Sequence, residues 1–207
     1  QLASALIQLK TIRRVTVCNA LNFDWARSFV DTIKNRLEKD FLSALDQDTP
    51  AYEALKEKLA IDIVAEEDIE KAVRRADVIL TATPSKEAMI RKEWVKKGAH
   101  LSCMGADMEG KQEIDEQLFC DAKVFTDDIE KTSRVGEMET AIKKGLFSKE
   151  QIAGELGAVI LGEIPGRESD EEITIFDASG LAVQDLMAAK VLFEKAEKRD
   201  LGVVIEL

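Results

Sequence analysis

Apolar runs of strand length alternate along this chain with amphipathic stretches of helix length, and this alternation most constrains the fold. It is typical of a parallel sheet covered by helices, because parallel strands need crossover connections that are usually helical. The predicted strands are residues 14–18, 61–65, 78–82, 99–104, 123–126 and 173–176. The predicted helices are residues 1–9, 22–36, 66–75, 112–119, 148–161 and 181–198. The sequence therefore predicts an α/β fold in which the strand at 78–82 is buried.

Composition excludes several classes of function. With 207 residues, of which 45% are hydrophobic, the chain can bury a sizeable core. A net charge of −11 argues against nucleic acid and anionic membrane surfaces as partners, because both would repel it. We find neither an apolar run long enough for a membrane span nor a secretory signal. Three cysteines without C-x-x-C spacing suggest neither a disulfide framework nor a zinc site, so we expect a cytoplasmic protein without a metal.

The segment Met-Gly-Ala-Asp-Met-Glu-Gly-Lys at residues 104–111 follows a predicted strand. Its glycines let backbone approach a ligand closely, Asp107 can carry out proton chemistry, and Lys111 can bind an anionic group. An ordinary surface turn is the alternative, because Gly and Asp are common turn residues.

Other motifs occur with this one in a fixed order. They are Thr-Ala-Thr-Pro-Ser at 81–85, Thr-Asp-Asp at 126–128, Gly-Glu-Leu-Gly at 154–157, Pro-Gly-Arg at 165–167 and Phe-Asp-Ala-Ser-Gly-Leu-Ala-Val-Gln-Asp at 176–185. With this ordered set, the chain resembles the ornithine cyclodeaminase and mu-crystallin family from about residue 12 to residue 207. The resemblance implies a Rossmann-type doubly wound parallel sheet that binds NAD(H) or NADP(H), and a second domain that holds the substrate and forms a homodimer.

The resemblance also predicts how the chain is divided. Residues 1–180 would form the NAD(P)-binding domain without its first strand and Gly-rich loop, because no G-x-G-x-x-G occurs in the sequence. Residues 181–207 would form a C-terminal helix and strand that join the substrate and dimerisation domain. We therefore expect a fragment that is inactive alone, although the alternative that Gln1 begins a complete small domain stays open.

Family resemblance assigns most of the cofactor contacts. Asn19, at the end of the strand 14–18, would reach the adenosine ribose, although it could be a plain turn residue. Thr83, with Thr81 close by, would line the nicotinamide side, although the Thr83 hydroxyl could instead cap its own turn. The remaining contacts are assigned to Met104, Gly105, Ala106 and Lys111. Asn19 is followed by Ala20 where NADP(H)-dependent relatives often have Arg, so NAD is expected, with NADP not excluded.

The resemblance assigns catalysis to Asp107, beside the α-carbon of an amino acid or imine substrate. Gly-Ala-Asp at 105–107, in place of Gly-Gly-Asp, favours an amino-acid dehydrogenase or imine reductase similar to the family's alanine dehydrogenases. One alternative is ornithine cyclodeaminase, which converts ornithine to proline and ammonia while NAD is recycled. The other is a non-catalytic, mu-crystallin-like ligand-binding protein.

Three further features receive structural interpretations. His100 lies in an apolar strand, where a structural role is expected, and Arg167 is expected in a turn stabilised by Glu168 and Asp170. Many relatives have Ser at the position of Ala178, so that contact is not assigned here. The charged segment 37–59 resembles a surface helical pair interrupted by Pro50.

Overall fold

The computed structural model of the chain describes residues 2–9 and 11–203. These residues form two compact units, one ending at Arg75 and the other beginning at Ala76. Both units combine parallel strands with helices, as predicted. The predicted division at residue 180 is a different one, and it stays a prediction.

The first unit contains a two-stranded parallel sheet and four α-helices. In chain order its elements are α1 (Leu2–Gln8), β1 (Arg14–Val17), α2 (Phe23–Arg36), α3 (Pro50–Lys58), β2 (Asp62–Ala65) and α4 (Ile69–Arg75). Arg14 of β1 lies opposite Asp62 of β2, and Val17 lies opposite Ala65. The core of this unit consists of Ala3, Leu6, Ile33, Leu37, Leu42, Leu55 and Ile63.

The segment 37–59 is mostly exposed, as predicted, and contributes Leu37, Leu42 and Leu55 to that core, but the predicted pair of helices is corrected. It continues α2 as a π-helical turn (Leu37–Phe41), then forms a 3₁₀ turn (Leu42–Ala44), and only α3 is an α-helix. Pro50 begins α3 and does not interrupt a helix, because the first helical position needs no backbone N–H. The Thr49 side chain caps that helix by accepting from the Tyr52 N–H at 3.3 Å.

The second unit contains a five-stranded sheet in which every pairing is parallel, in the order β3-β4-β7-β5-β6. Its strands are β3 (Val78–Thr81), β4 (His100–Cys103), β5 (Lys123–Thr126), β6 (Gly154–Glu155) and β7 (Thr174–Asp177). Its α-helices are α5 (Ile129–Val135), α6 (Glu139–Lys143), α7 (Leu156–Ile160) and α8 (Ala182–Lys198), and its 3₁₀ turns are Lys92–Trp94, Glu116–Cys120 and Lys149–Gln151.

Two rows of buried side chains cross one face of this sheet, and each row has one residue from each of β3, β4, β7 and β5. The first row is apolar and consists of Ile79, Leu101, Ile175 and Val124. The second row, at the carboxyl ends of the strands, is mostly polar and consists of Thr81, Cys103, Asp177 and Thr126. The core of the second unit therefore ends in buried polar groups at the edge where parallel sheets bind ligands.

The prediction that strand 78–82 is buried holds for only one face of β3. Val78 and Leu80 are 60% and 66% exposed, while Ile79 and Thr81 are buried. β3 is the last strand at its side of the five-stranded sheet. Alternate side chains of a strand point to opposite faces, so covering one face leaves the other open.

Two predicted helices are wrong. In place of a helix at 148–161 the chain forms a 3₁₀ turn, β6 and α7, because Gly154 has φ +149° and interrupts any helix. In place of a helix at 112–119 there is a β-bridge between Ile90 and Ile114 and the 3₁₀ turn Glu116–Cys120. Helices α5 and α6 had not been predicted.

The predicted terminal elements lie partly outside the described residues. Helix α8 confirms the helix predicted at 181–198. The strand expected after it falls largely on residues 204–207, and Gln1 of the first predicted helix is also outside the described part of the chain. Among the helices of residues 2–9 and 11–203, none has the length and hydropathy needed to cross a bilayer.

Candidate functional site

The motif loop, residues 104–111, begins where β4 ends. The Met104 N–H donates to the Thr81 carbonyl at 2.9 Å, which continues the β3-β4 pairing by one residue. The loop then leaves the carboxyl edge of the sheet and turns at Gly110, whose φ is +76°. Seven predicted site residues are thereby gathered at this edge, on β3, in the turn that follows it and in the motif loop: Thr81, Thr83, Met104, Gly105, Ala106, Asp107 and Lys111.

A buried carboxylate joins the end of β3 to the start of the motif loop. Glu113 Oε2 accepts from the Thr81 hydroxyl at 2.6 Å and from the Gly105 N–H at 2.9 Å. Its Oε1 accepts from the Thr83 N–H at 2.6 Å. The residue is fully buried, and buried carboxylates need such donors because desolvation of the charge is costly.

Gly105 has no room for a side chain in this arrangement. A Cβ at this position would lie 2.3 Å from the Thr83 carbonyl oxygen and 2.5 Å from the carboxyl carbon of Glu113. Glycine is therefore required here by the close approach of Glu113.

Two more buried carboxylates lie beneath Glu113. Glu137 Oε1 accepts from the Glu113 and Ile114 N–H groups, each at 2.7 Å. Asp177, the last residue of β7, accepts from the Glu137 N–H at 3.0 Å and the Met138 N–H at 2.9 Å. Burial raises the pKa of Glu137 to about 7 and the pKa of Asp177 well above its usual range. Within the described residues, Glu137 Oε2 is the buried side-chain oxygen without a hydrogen-bond partner.

The far end of the motif loop is held by α6. The Gly110 N–H donates to Glu139 Oε2 at 2.9 Å, and the Glu139 side chain is almost entirely buried. Lys143 pairs with Glu139 and, at 3.1 Å, with Glu109. The loop is thus attached through carboxylates at both of its glycines.

Asp107 lies in the motif loop between the two attached glycines, and its side chain is exposed to solvent. Its side chain is 55% exposed and lies 2.5 Å from Nζ of Lys111, whose side chain is only 13% exposed. The hydrogen bond from Lys111 lowers the pKa of Asp107, with a smaller contribution from the charge of Lys131. Asp107 is therefore an accessible carboxylate that is ionised at neutral pH, able to accept a proton or stabilise a nearby cation.

The threonines of β3 and its turn have local roles as well. The Thr81 hydroxyl is committed to Glu113, and the Thr83 hydroxyl accepts from the Ser85 N–H at 3.3 Å. The local capping interpretation of Thr83 is therefore supported geometrically. Its proposed place beside a nicotinamide stays a prediction.

Asn19 belongs to the first unit, two residues after β1. Its Oδ1 accepts from the Leu21 N–H at 3.0 Å and from the Asn22 N–H at 2.9 Å. This is the turn role that the sequence left open. A contact from Asn19 to a ribose stays a prediction.

The turn after β7 is held by Asp127 and Lys131. Ser179 is buried, and both its hydroxyl and its N–H donate to Asp127 Oδ1 at 3.1 Å. Lys131 Nζ donates to the carbonyls of Ser179, at 2.8 Å, and Gly180. Ser179 therefore does not replace the hydroxyl that relatives have at the position of Ala178.

His100 and Arg167 are structural. His100 Nδ1 lies 2.8 Å from the Thr174 hydroxyl, and burial lowers the pKa of its imidazole. Arg167 donates to the carbonyls of residues 98, 99 and 172 and to the Thr174 hydroxyl. The expected contacts of Arg167 with Glu168 and Asp170 are thus replaced by contacts that fasten a loop to the sheet.

Sequence reasoning missed the buried carboxylates Glu113, Glu137 and Glu139, and expected Asp177 only to help seat the last strand. In an acidic chain nothing local distinguishes them from solvated surface residues. The available signal was Gly105 itself, since a glycine directly after a strand indicates close approach of another group. No group of three or more His, Cys, Asp or Glu residues in the described part of the chain could hold a metal ion.

Comparison with known proteins finds relatives of this chain. The model of the ornithine cyclodeaminase/mu-crystallin family matches residues 29–200. An alanine dehydrogenase of Archaeoglobus fulgidus is 45% identical over 132 residues, which are 64% of this chain and 41% of that protein. An iminosuccinate reductase of Paracoccus denitrificans is 39% identical over 140 residues, which are 68% of this chain and 43% of that protein.

The solved structure of an archaeal alanine dehydrogenase dimer with bound NAD aligns with a TM-score of 0.80 at 34% identity. The alignment covers 99% of this chain and 56% of the other. The α/β fold class is thereby confirmed, and the chain spans less than half the length of the two curated relatives named above. Because the family model covers most of its length, the chain belongs to the ornithine cyclodeaminase/mu-crystallin family.

Proposed function

We propose that the full-length protein containing this chain is an NAD(H)-dependent oxidoreductase that acts on the Cα–N bond of a small L-amino acid or its imine. One observation carries the proposal: Asp107 is an exposed, ionised carboxylate on a loop fixed at the carboxyl edge of a parallel sheet. This is the edge where doubly wound sheets bind ligands. Similarity to an alanine dehydrogenase and an iminosuccinate reductase supports the same reaction class.

The residues at this edge fit the nicotinamide end of NAD. Met104 offers a half-exposed apolar side chain to a flat ring, beside the backbone of Thr83, Gly105 and Ala106. Thr81 would support these residues from below, because its hydroxyl is committed to Glu113. When bound, NAD supplies the acceptor for the hydride on the substrate α-carbon.

Asp107 and Lys111 would act as a pair. The Asp107 carboxylate stabilises positive charge on the substrate nitrogen and accepts a proton from an attacking water. Lys111 keeps Asp107 ionised and orients it through their 2.5 Å contact. Asn19 would meet the adenosine ribose, and its neutral side chain with Ala20 after it favours NAD over NADP without excluding the latter.

The test is to incubate the full-length protein with NAD+ and, separately, alanine and ornithine, and to measure NADH and ammonia in each reaction. Ammonia from alanine with equal NADH supports the dehydrogenase. Ammonia from ornithine without net NADH would establish the cyclodeaminase instead. If neither amino acid reacts and imines with NADH do not either, the non-catalytic alternative is favoured.

We further propose that the full-length protein is a cytoplasmic homodimer. The related alanine dehydrogenase is a dimer, and α8 carries a series of exposed apolar residues suited to a further packing partner: Val183, Leu186, Met187, Val191, Leu192 and Phe193. The three cysteines without C-x-x-C spacing suit a reducing compartment. Light scattering on the purified protein, and fractionation of its source cells, would test the two statements.

A further inference from the structure

Glu113 combines complete burial with an unusual set of hydrogen bonds. Its carboxylate accepts one hydroxyl and two backbone N–H groups, from Thr81, Thr83 and Gly105. These donors belong to two chain segments that follow adjacent parallel strands. Burying a carboxylate between two segments costs desolvation free energy, which those hydrogen bonds must offset. This desolvation cost suggests that Glu113 has a role beyond packing.

The backbone of Glu113 is itself fixed. Its N–H donates to Glu137 at 2.7 Å, and its carbonyl accepts from the N–H groups of Met89 at 2.8 Å and Ile90 at 3.1 Å. The carboxylate therefore projects from a rigid base toward the motif loop. Any movement of Gly105 away from it would cost a charge-assisted hydrogen bond.

The position of Asp107 depends on Gly105. The two residues are two positions apart, and the Asp107 N–H donates to the Gly105 carbonyl at 3.2 Å. A displacement of Gly105 is thus carried directly to the carboxylate of Asp107, and a shift of about 1 Å in a catalytic group can cost about 100-fold in rate.

We propose that Glu113 is a positioning residue, which holds the ends of β3 and β4 together and thereby sets where Asp107 stands relative to a bound substrate. It would touch neither substrate nor cofactor and would act through Gly105 and Thr83. The effect on catalysis rests on the function proposed above, whereas the effect on the motif loop does not.

The experiment compares Glu113→Gln with wild type in the full-length protein. Glutamine keeps the shape but presents an N–H₂ group to at least one of the three donors, because only one of its two terminal atoms accepts. Glu116→Gln is the matched control: it removes the same charge three residues away, from a side chain bonded to Gln112 and Lys144 rather than to the loop.

Hydrogen–deuterium exchange followed by mass spectrometry gives the first readout. We expect faster exchange in peptides covering residues 81–85 and 103–110 of Glu113→Gln, and wild-type exchange there in Glu116→Gln. For the reaction of the wild-type enzyme, we expect kcat to fall about 10- to 100-fold in Glu113→Gln, the cost of losing a hydrogen bond to a charged group. KM for the amino acid should change less than about 3-fold, and the NADH dissociation constant should rise by a smaller factor than kcat falls, because Gly105 and Thr83 would contact only the nicotinamide end of NADH.

The two readouts separate the two proposals. If the wild type turns over no tested substrate, the proposed function fails, and exchange at the loop still decides the role of Glu113. Unchanged exchange in the loop of Glu113→Gln, or faster exchange with an unchanged kcat, would overturn the inference.

A folding defect is covered by a second variant. If Glu113→Gln does not fold, the same measurements are made on Glu113→Asp, which keeps the charge but withdraws it by one methylene and is expected to give the same pattern. Failure of both variants to fold would overturn the inference, because Glu113 would then serve folding and not the placement of Asp107.

Discussion

Alanine at Gly105 should disturb the motif loop by steric conflict alone. The new Cβ would lie 2.3 Å from the Thr83 carbonyl oxygen and 2.5 Å from the Glu113 carboxyl carbon, where ordinary contacts are 3.4–4 Å. Neither neighbour can withdraw easily, because one is backbone and the other is a fully buried carboxylate with three bonds. Overpacking of this kind costs about 1–3 kcal/mol.

The assay is thermal unfolding of the full-length protein with and without NADH. For a domain of about 150–250 residues each kcal/mol corresponds to about 2–4 °C, so we expect Tm to fall by about 2–12 °C in Gly105→Ala. The matched control is Gly157→Ala in α7, where a Cβ meets nothing within 4 Å and helix propensity favours alanine by about 0.5–1 kcal/mol. A Gly105→Ala protein that melts within about 1 °C of wild type and binds NADH equally well would refute the close approach.

Three further predictions concern the carboxylates. Asp107→Asn should lower kcat at least about 100-fold while the NADH dissociation constant stays within a few-fold, measured by steady-state kinetics and fluorescence titration; near-normal kcat would rule Asp107 out as the catalytic group. Lys111→Met should move the acid limb of the pH profile of kcat/KM to higher pH, because Lys111 lowers the pKa of Asp107 and its removal lets that pKa rise; an unmoved limb would contradict the pairing. The stability of Glu137→Gln relative to that of wild type should increase as pH rises from about 4.5 to about 7. The folded pKa of Glu137 is raised, so the native state binds more protons than the unfolded state in this window and wild-type stability falls as pH rises through it. Thermal unfolding of wild type and Glu137→Gln at pH 5 and pH 8 measures this effect. If the Tm of the variant minus that of wild type does not increase from pH 5 to pH 8, Glu137 is not a buried group that binds a proton in this range.

The fold could be predicted wherever a local pattern carried the information. Strand and helix periodicities gave all six predicted strands with ends within about one residue of those observed, and Asn22 and Arg36 marked the limits of α2 correctly. The failures fell on segments 112–119 and 148–161, where apolar residues at helical spacing belong to turns and short strands. There the tertiary contacts of Ile114 with Ile90, and the dihedral angles of Gly154, outweigh local propensity.

The site could be predicted in part. The ordered motifs identified the family, now confirmed, whereas the contact between Asp107 and Lys111 within the motif loop was seen only in the structure. All assigned roles remain predictions: catalysis for Asp107, and cofactor binding for Asn19, Thr81, Thr83, Met104, Gly105, Ala106 and Lys111.

By itself, the sequence determined the α/β class, the family and the loop that carries the candidate catalytic carboxylate, because periodicity and motif order are written in consecutive residues. Only the tertiary structure decided how that loop is held. Glu113 and Glu137 lie 24 residues apart in the chain, and Glu137 and Asp177 lie 40 apart, yet Glu137 accepts from the Glu113 N–H and Asp177 accepts from the Glu137 N–H. The burial of all three, and with it the raised pKa values of Glu137 and Asp177, depends on which strands pair and which loops cover them, and a single residue in a sequence does not carry that information.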